Sequence, residues 1–458
     1  MDMLRARGSR IVDTAGREVR LRGFCVGGWL NMENFINGYP GQESSFRSAV
    51  AKVLGTGKAG FFFDRMLDNF LSGDDIAFMA SLGTNALRIP MNYRHFEDDM
   101  QPFSYRPSAL ARLDAIVAQC RKHGIYVILD LHAAQGWQNP DWHSDNPTHV
   151  ATLWTQKQFQ DRVAGLWRHL ASHYRREPAI AGYNLLNEPV CPVPGALPAV
   201  YRRLVSEVRK VDRDHIFFLE GNWFSTDFSE IRPDLDANTV FSSHNYATPS
   251  FTDRPYPGVS GGGYYDRKRL QKEFLWSNRF VKKNNKPGWV GEFGSIYRGN
   301  RRDADRLRVV DDQIGIFEEA GTSWTIWTYK DLGVMGTVCV RPDSEWMRRT
   351  AKVRALKERL GADTWGQVSS AASRTEKCLL DNTRRAAGKA VDYGKLAWNA
   401  KRLIGGLAIS EALAAPCAEQ FRGMSEKAIA RMMHSFAFKN CVIRHGLANI
   451  ISRYPARI

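Results

Sequence analysis

The sequence lacks the cysteine spacings that build a metal site or a disulfide framework. Its seven cysteines, Cys25, Cys120, Cys191, Cys339, Cys378, Cys417 and Cys441, are odd in number and widely scattered, with no CxxC pair and no histidine at zinc-site spacing. Buried free thiols fit that pattern, so no metal is expected. No stretch approaches the roughly 18 uninterrupted apolar residues of a membrane span. The opening MDMLRARGSRIVDTAGREVRLRG carries charges where a signal peptide has its apolar core. The expectation is a chain without a transmembrane segment, cytoplasmic or exported by a route its sequence does not display. No GxGxxG or GxxxxGKS follows any strand-like run, which leaves the usual nucleotide-binding reading of an α/β chain without support. Low-complexity tracts are missing, and so are repeats beyond a βα unit.

Acidic residues are fewer than basic ones. The 64 Lys+Arg against 48 Asp+Glu give a formal charge of +16, a balance that invites a nucleic-acid partner. The excess is diluted along the chain. Residues 361–458 hold 15 Lys+Arg against 7 Asp+Glu, and no basic run is longer than KVRALKERL or VKKNNK. Solvated helical faces account for such runs. No nucleic-acid partner is expected, while contact of a basic C-terminal extension with an anionic surface stays open.

What the sequence does have is a repeating rhythm. Eight short apolar runs recur over the first 330 residues: VRLRGFCVGG, TNALRIPMNY, IYVILDLHA, IAGYNLLNEP, HIFFLEGNW, TVFSSHNYA, PGWVGEFGS and TSWTIWTYKD. Helix-like segments separate them, such as ALARLDAIVAQCRKHG and RVVDDQIGIFEEAG, and in the latter Val310, Ile314, Ile316, Phe317 and Ala320 recur near helical spacing. Eight β/α repeats fit a (β/α)8 barrel better than an open sheet. The glycine-rich GGGYYDRKR is expected to be a flexible loop. The barrel is assigned to residues 1–360, and residues 361–458, richer in Ala, Lys and Arg, to a mostly helical extension, with Ala428, Met432 and Phe436 on one helical face.

In such a barrel the site lies where the strands end. The polar residues at those ends are Arg88, His132, Asn187 with Glu188, Glu220 with Asn222, His244 with Tyr246, Glu292, and Trp327. Glu188 ends the fourth run and Glu292 the seventh, so the two can face each other across the mouth. A carboxyl pair so placed suits glycosidic cleavage, one protonating the leaving oxygen and the other attacking the anomeric carbon or activating water. A raised pKa on the donor and a lowered one on its partner would divide the two roles.

LLNEP and VGEFG resemble the signatures of retaining glycoside hydrolases of clan A, in particular glycoside hydrolase family 5. LRIP with Arg88, DLH with His132, HNY with His244 and Tyr246, and IWTYKD with Trp327 agree with that family over about residues 18–360. The resemblance implies a retaining mechanism without metal or organic cofactor on an oligosaccharide, polysaccharide or glycoside substrate. In it Glu188 is the acid/base, Glu292 the nucleophile, Asn187 the partner of the sugar 2-hydroxyl, Arg88 and Tyr246 partners of Glu292, and Trp327 a stacking platform. RGFCVGGWLNME is similar to the first strand of exo-acting β-glucanases and β-glucosidases of the family, which places Trp29 and Glu33 on a terminal sugar. HAAQGWQN departs from the family, many members of which have a proline before the glycine. Trp137, Trp142 and His143 in that loop, and Glu220, Asn222 and Trp223, either line outer sugar subsites or only pack their loops.

The leading expectation is an exo-acting β-glycosidase on a β-glucan or β-glucoside, with an endo-acting cellulase-like glucanase as runner-up. A carbohydrate-binding barrel with a basic tail is the alternative of another class, and the presence of both carboxylates argues against it. Schiff-base chemistry of the aldolase kind has only Lys330 near a strand end.

Overall fold

The computed structural model describes residues 1–362 and 370–456. Each apolar run becomes a strand of one closed parallel barrel: β1 (Arg22–Cys25), β2 (Ala86–Asn92), β3 (Tyr126–Ala133), β4 (Ile180–Asn184), β5 (Ile216–Glu220), β6 (Thr239–His244), β7 (Gly288–Glu292) and β8 (Ser323–Ile326). β8 pairs back onto β1, with Trp324 opposite Arg22 and Ile326 opposite Phe24, which closes the ring. Every residue of β2 to β6 is buried. Burial on both faces is why these runs read as continuous apolar stretches and do not alternate. The architecture is the (β/α)8 barrel with C-terminal helices expected from the sequence.

The helices follow from their stripes and ends. Pro107 starts the helix Pro107–Lys122, where a missing N–H costs nothing, and Ala109, Leu113, Ile116, Val117 and Cys120 are its buried stripe. In the helix Asp303–Glu319 the buried face is Val309, Val310, Ile314, Ile316 and Phe317. Ala320, expected on that face, lies at the C-cap and is exposed, because Gly321 at φ +67° already turns the chain toward β8. GGGYYDRKR is not a loop. Gly261 and Gly262, at φ +54° and +80°, turn a short hairpin of Gly258–Ser260 with Gly263–Tyr265 that leads into the helix Arg267–Ser277.

One end of the barrel is sealed and apolar. An N-terminal hairpin, Arg5–Arg7 with Arg10–Val12, brings Leu4 and Ile11 against Leu21, Ala86, Tyr126, Ala181, Ile216 and Trp289 near the strand starts. The opposite end carries the polar residues described below. Between β1 and β2 the chain inserts the helices Glu43–Leu54 and Thr56–Phe70.

Those inserted helices are the seat of the C-terminal extension. Phe421 is fully buried, 4.8 Å from the Phe62 ring, 6.4 Å from Phe46 and stacked at 5.6 Å on Trp346 of the helix Glu345–Leu360. Lys330, the one strand-end lysine noted above, is fully buried; it pairs with Asp75 at 2.6 Å and donates to the carbonyls of Phe70 and, in the extension, Phe436. The extension is not wholly helical, for Cys441–Ile443 adds an antiparallel strand to Val338–Val340. Its inward face includes Ile429, Met432, Met433 and Phe436, whereas Ala428 is only half-buried. One apolar core therefore runs from the barrel helices into the extension. Phe421→Ala is expected to destabilise the protein by ~3–5 kcal/mol; thermal unfolding measures it, and an unchanged midpoint would mean the two parts are not packed as one.

Candidate active site

At the open end the hub is Arg88 on β2, which is fully buried. Its Nη1 lies 2.5 Å from Glu292 Oε1 at the end of β7. Its Nη2 donates to Asn187 Oδ1 at 2.7 Å and reaches Glu220 Oε1 at 3.2 Å and Asp130 Oδ2 at 3.1 Å, while Nε donates to Asn184 Oδ1 at 3.1 Å. The second oxygen of Glu292 accepts from the Tyr246 hydroxyl at 2.8 Å. Glu188, just past β4, places Oε1 2.7 Å from His244 Nδ1 and Oε2 3.1 Å from His143 Nε2. All four carboxylate oxygens are held, and an oxygen of Glu188 lies within 4.8 Å of an oxygen of Glu292. With His244 between them, these two carboxylates also have the spacing of cation ligands, but each oxygen already faces a proton-bearing or cationic group of the protein.

Burial works against the Arg88 charge, yet Asp130, Glu292 and Glu220 outweigh it and keep the guanidinium protonated. The same contest raises His244 well above the ordinary histidine value: burial lowers it, and Glu220, Glu292 and Glu188 more than restore it. His132 is pushed up to about 10, burial being outweighed by Asp130 and Glu33. Glu188 departs from the sequence expectation of a raised donor pKa. Burial alone would raise it, but hydrogen bonds and charge from His143 and His244 hold it well below the usual carboxylate range. The proton of the Glu188–His244 pair rests on the imidazole, one short hydrogen bond from the carboxylate.

The backbone at Glu188 is strained, at φ +45°, where a residue with a Cβ is rarely found. Hydrogen bonds pin it on both sides. Its N–H donates to Glu220 Oε2 at 2.7 Å, its carbonyl accepts from Asn139 Nδ2 at 3.0 Å, and Gln138 Nε2 holds the Asn187 carbonyl at 2.9 Å. At the other carboxylate the glycines of VGEFG are steric necessities. A Cβ on Gly291 would lie 2.6 Å from Ser242 Oγ and 3.1 Å from His244 Nε2, and one on Gly294 only 2.3 Å from the Trp327 carbonyl. Gly27 likewise clears the Trp327 ring, which a Cβ would meet at 2.7 Å.

Of the residues singled out from the sequence, Arg88, Asn187, Glu188, His244, Tyr246 and Glu292 form one network. His132 joins it through Asn187, 3.3 Å away, and through Glu33 Oε1 at 3.2 Å. Trp327 stacks on His132 at 5.4 Å with the planes 9° apart. Trp29 stands apart: it is buried and its indole N–H donates to the Leu67 carbonyl at 3.1 Å. Two polar groups of the network, Asp130 and Asn184, have no assignment from the sequence; for two others, Glu220 and His143, the sequence leaves subsite lining and loop packing open. Asp130 orients His132 Nδ1 at 2.7 Å, and it had a readable signal, since DLH puts residues two apart on one face of a strand. Asn184 is in the same position relative to Asn187 only in the folded turn. Glu220 stands at the centre, accepting from Arg88 and from the Glu188 N–H and lying 3.3 Å from His244 Nε2 as an ion pair. His143 proves to be a direct partner of Glu188.

A family model for cellulase, glycosyl hydrolase family 5, matches residues 58–333. A β-xylosidase from Phanerodontia chrysosporium is 42% identical over 99% of this chain and 98% of its own length. A probable glucan 1,3-β-glucosidase A from Aspergillus clavatus is 29% identical over 69% of this chain and 84% of its length. Among solved structures, an endogalactoceramidase has the same fold, with a TM-score of 0.55 at 18% identity over 72% of this chain and 75% of the other. With its barrel, its paired carboxylates and these relatives, the chain belongs to glycosyl hydrolase family 5.

Proposed function

We propose that this glycoside hydrolase is a retaining, exo-acting β-glycosidase that removes a terminal β-xylosyl or β-glucosyl unit. The observation that carries this is the carboxylate spacing. With one oxygen of each within 4.8 Å, the pair suits the ~5–5.5 Å carboxyl spacing of a retaining enzyme better than the ~6.5–9.5 Å of an inverting one. Exo action on a small glycoside is supported by the relatives. The β-xylosidase matches the whole chain, extension included, whereas an endoglucanase C from Acetivibrio thermocellus, 25% identical, matches 59% of it.

In the first step a Glu292 oxygen attacks C1 and the bond from C1 to the leaving oxygen breaks, with a proton passing from Glu188 to that oxygen. Arg88 and Tyr246 hold the two Glu292 oxygens in place for the attack. As Glu292 gives up its charge to the new bond, one of the charges that keeps the proton on His244 is lost, and the proton moves across the 2.7 Å bond to Glu188. In the second step water attacks C1, Glu188 takes its proton and the bond to Glu292 breaks. Asn187 supplies the 2-hydroxyl contact. Arg88 fixes which end of its amide is oxygen, so the NH2 end, beside His132 Nε2 at 3.3 Å, is the one that donates to the sugar.

The test is the anomer released first from aryl β-xylosides and β-glucosides, followed by NMR. The β anomer is expected before mutarotation, and the α anomer would overturn the retaining assignment.

A further inference from the structure

The extension reaches the carboxylates. A cavity of about 310 Å³ has Glu188, His143 and Phe224 on its barrel side and Lys401, Arg402 and Gly406 of the extension on the other. Of the site residues it touches Glu188, its partner His143 and Tyr246 but not Glu292, so it opens on the proton donor's side of the scissile bond. The leaving group departs on that side.

The far wall is built with care. Arg402 pairs with Asp141 at 2.6 Å and lies 3.5 Å over the ring of Trp398, which in turn meets Phe224 at 6.0 Å and Trp223 at 6.2 Å. Trp223, Phe224 and Ser225 take φ of +51°, +59° and +63°, three successive residues in the left-handed region. That strained turn is anchored by the Ser225 hydroxyl on the Ser242 carbonyl at 2.7 Å and by Asn222, whose side chain brackets the Cys191 N–H and carbonyl. Its result is to aim two aromatic rings at Trp398. On the extension the chain winds as a π-helix over Arg402–Ile409. Gly405 and Gly406 let it approach closely, for a Cβ on Gly406 would sit 3.1 Å from His149 and one on Gly405 3.0 Å from the Gly361 carbonyl.

We propose that Lys401, Arg402, Gly405 and Gly406, with Trp398 backing Arg402, form the outer wall of the leaving-group subsite, and that this wall limits the subsite to a leaving group, or an acceptor in the reverse sense, about the size of one sugar ring. The volume lies at the low end of the ~300–1,000 Å³ typical of ligand sites, and the aromatic lining suits the C–H face of a pyranose. A continuing polysaccharide chain meets the wall. This rests on the roles of Glu188 and Glu292 given above.

The two readings separate experimentally, because the leaving group takes part only in some steps. A 2-deoxy-2-fluoro-β-xylosyl or -glucosyl fluoride expels fluoride, and the resulting bond between C1 and Glu292 is seen as a mass increase. Freed of excess reagent, the intermediate decays with water, or faster when an acceptor hydroxyl attacks C1, passes its proton to Glu188 and displaces Glu292. The spontaneous decay is the reference rate of each variant. Methyl β-xyloside or methyl β-glucoside is expected to accelerate decay saturably in the wild type. The ratio of accelerated to spontaneous rate should fall tenfold or more in Trp398→Ala and Arg402→Gln, and return in Trp398→Phe. Longer oligosaccharides should accelerate no better than the monosaccharide glycoside. Failure of the wild type to trap sinks the roles of Glu188 and Glu292. Trapping with acceptor ratios at the wild-type level in both Trp398→Ala and Arg402→Gln, or steadily rising acceleration with acceptor length, overturns the wall.

Discussion

Glu292→Ala is expected to lower kcat/KM on an aryl β-glycoside by ~10⁴-fold or more, since it removes the atom that bonds to C1. The same change leaves the nucleophile's two hydrogen-bond donors, Arg88 Nη1 and the Tyr246 hydroxyl, facing a gap the size of a carboxylate. A small anion such as azide fits that gap and is held by the same donors. Adding it is expected to restore turnover with an aryl glycoside, and because it attacks from the side Glu292 occupied, the product is the α-glycosyl azide. Glu292→Gln keeps the shape and an acceptor for Arg88 but not the nucleophile, so it should be as inactive and far less responsive to azide. The fold should survive either change. Arg88 keeps Asp130 and Glu220 as carboxylate partners, so its charge is not stranded in the core. Activity of Glu292→Ala within tenfold of wild type without added anion would remove Glu292 from the chemistry.

The barrel was legible because its strands are buried on both faces and each ends in a turn, so the β/α rhythm survives in sequence as eight apolar runs. The carboxylates were legible for a related reason. A strand that must be apolar along its length stands out when it ends in Asn-Glu-Pro or in Gly-Glu-Phe-Gly. What could not be read is what lies between elements. Glu220 and Asp130 stand near strand ends like the others, but only closure of the ring brings both onto Arg88, from β5 and β3. His143 sits eleven residues past His132, in a loop whose path nothing local dictates, and its reach to Glu188 is a property of the folded loop. Ala320 and GGGYYDRKR were misjudged where a glycine decided: Gly321 ends a helix one residue early, and Gly261 and Gly262 convert an apparent loop into a hairpin. The lowered Glu188 pKa was not readable either, since it depends on two imidazoles arriving from β6 and the β3 loop.

Those imidazoles shape the second large effect. Glu188→Gln is expected to cost ~10²–10⁴-fold in kcat/KM for alkyl glycosides, whose leaving oxygen needs a proton, and far less for a dinitrophenyl glycoside, whose leaving group departs unaided. A uniform loss across leaving groups would mean that Glu188 binds the sugar and does not deliver the proton. The pH profile carries the sign of the arrangement. Because His244 is raised well above the ordinary histidine value by Glu220, Glu292 and Glu188, the Glu188–His244 pair keeps its shared proton until the pH passes that raised value. The basic limb of kcat/KM is therefore expected above the range of an unperturbed histidine, not at the value of a lone carboxyl. His244→Asn removes the proton's resting place and leaves Glu188 to hold it alone, beside His143, so the basic limb should move to lower pH as the rate falls. A basic limb unchanged by His244→Asn would show that the proton is stored elsewhere, and would leave His244 as no more than a prop for Glu188.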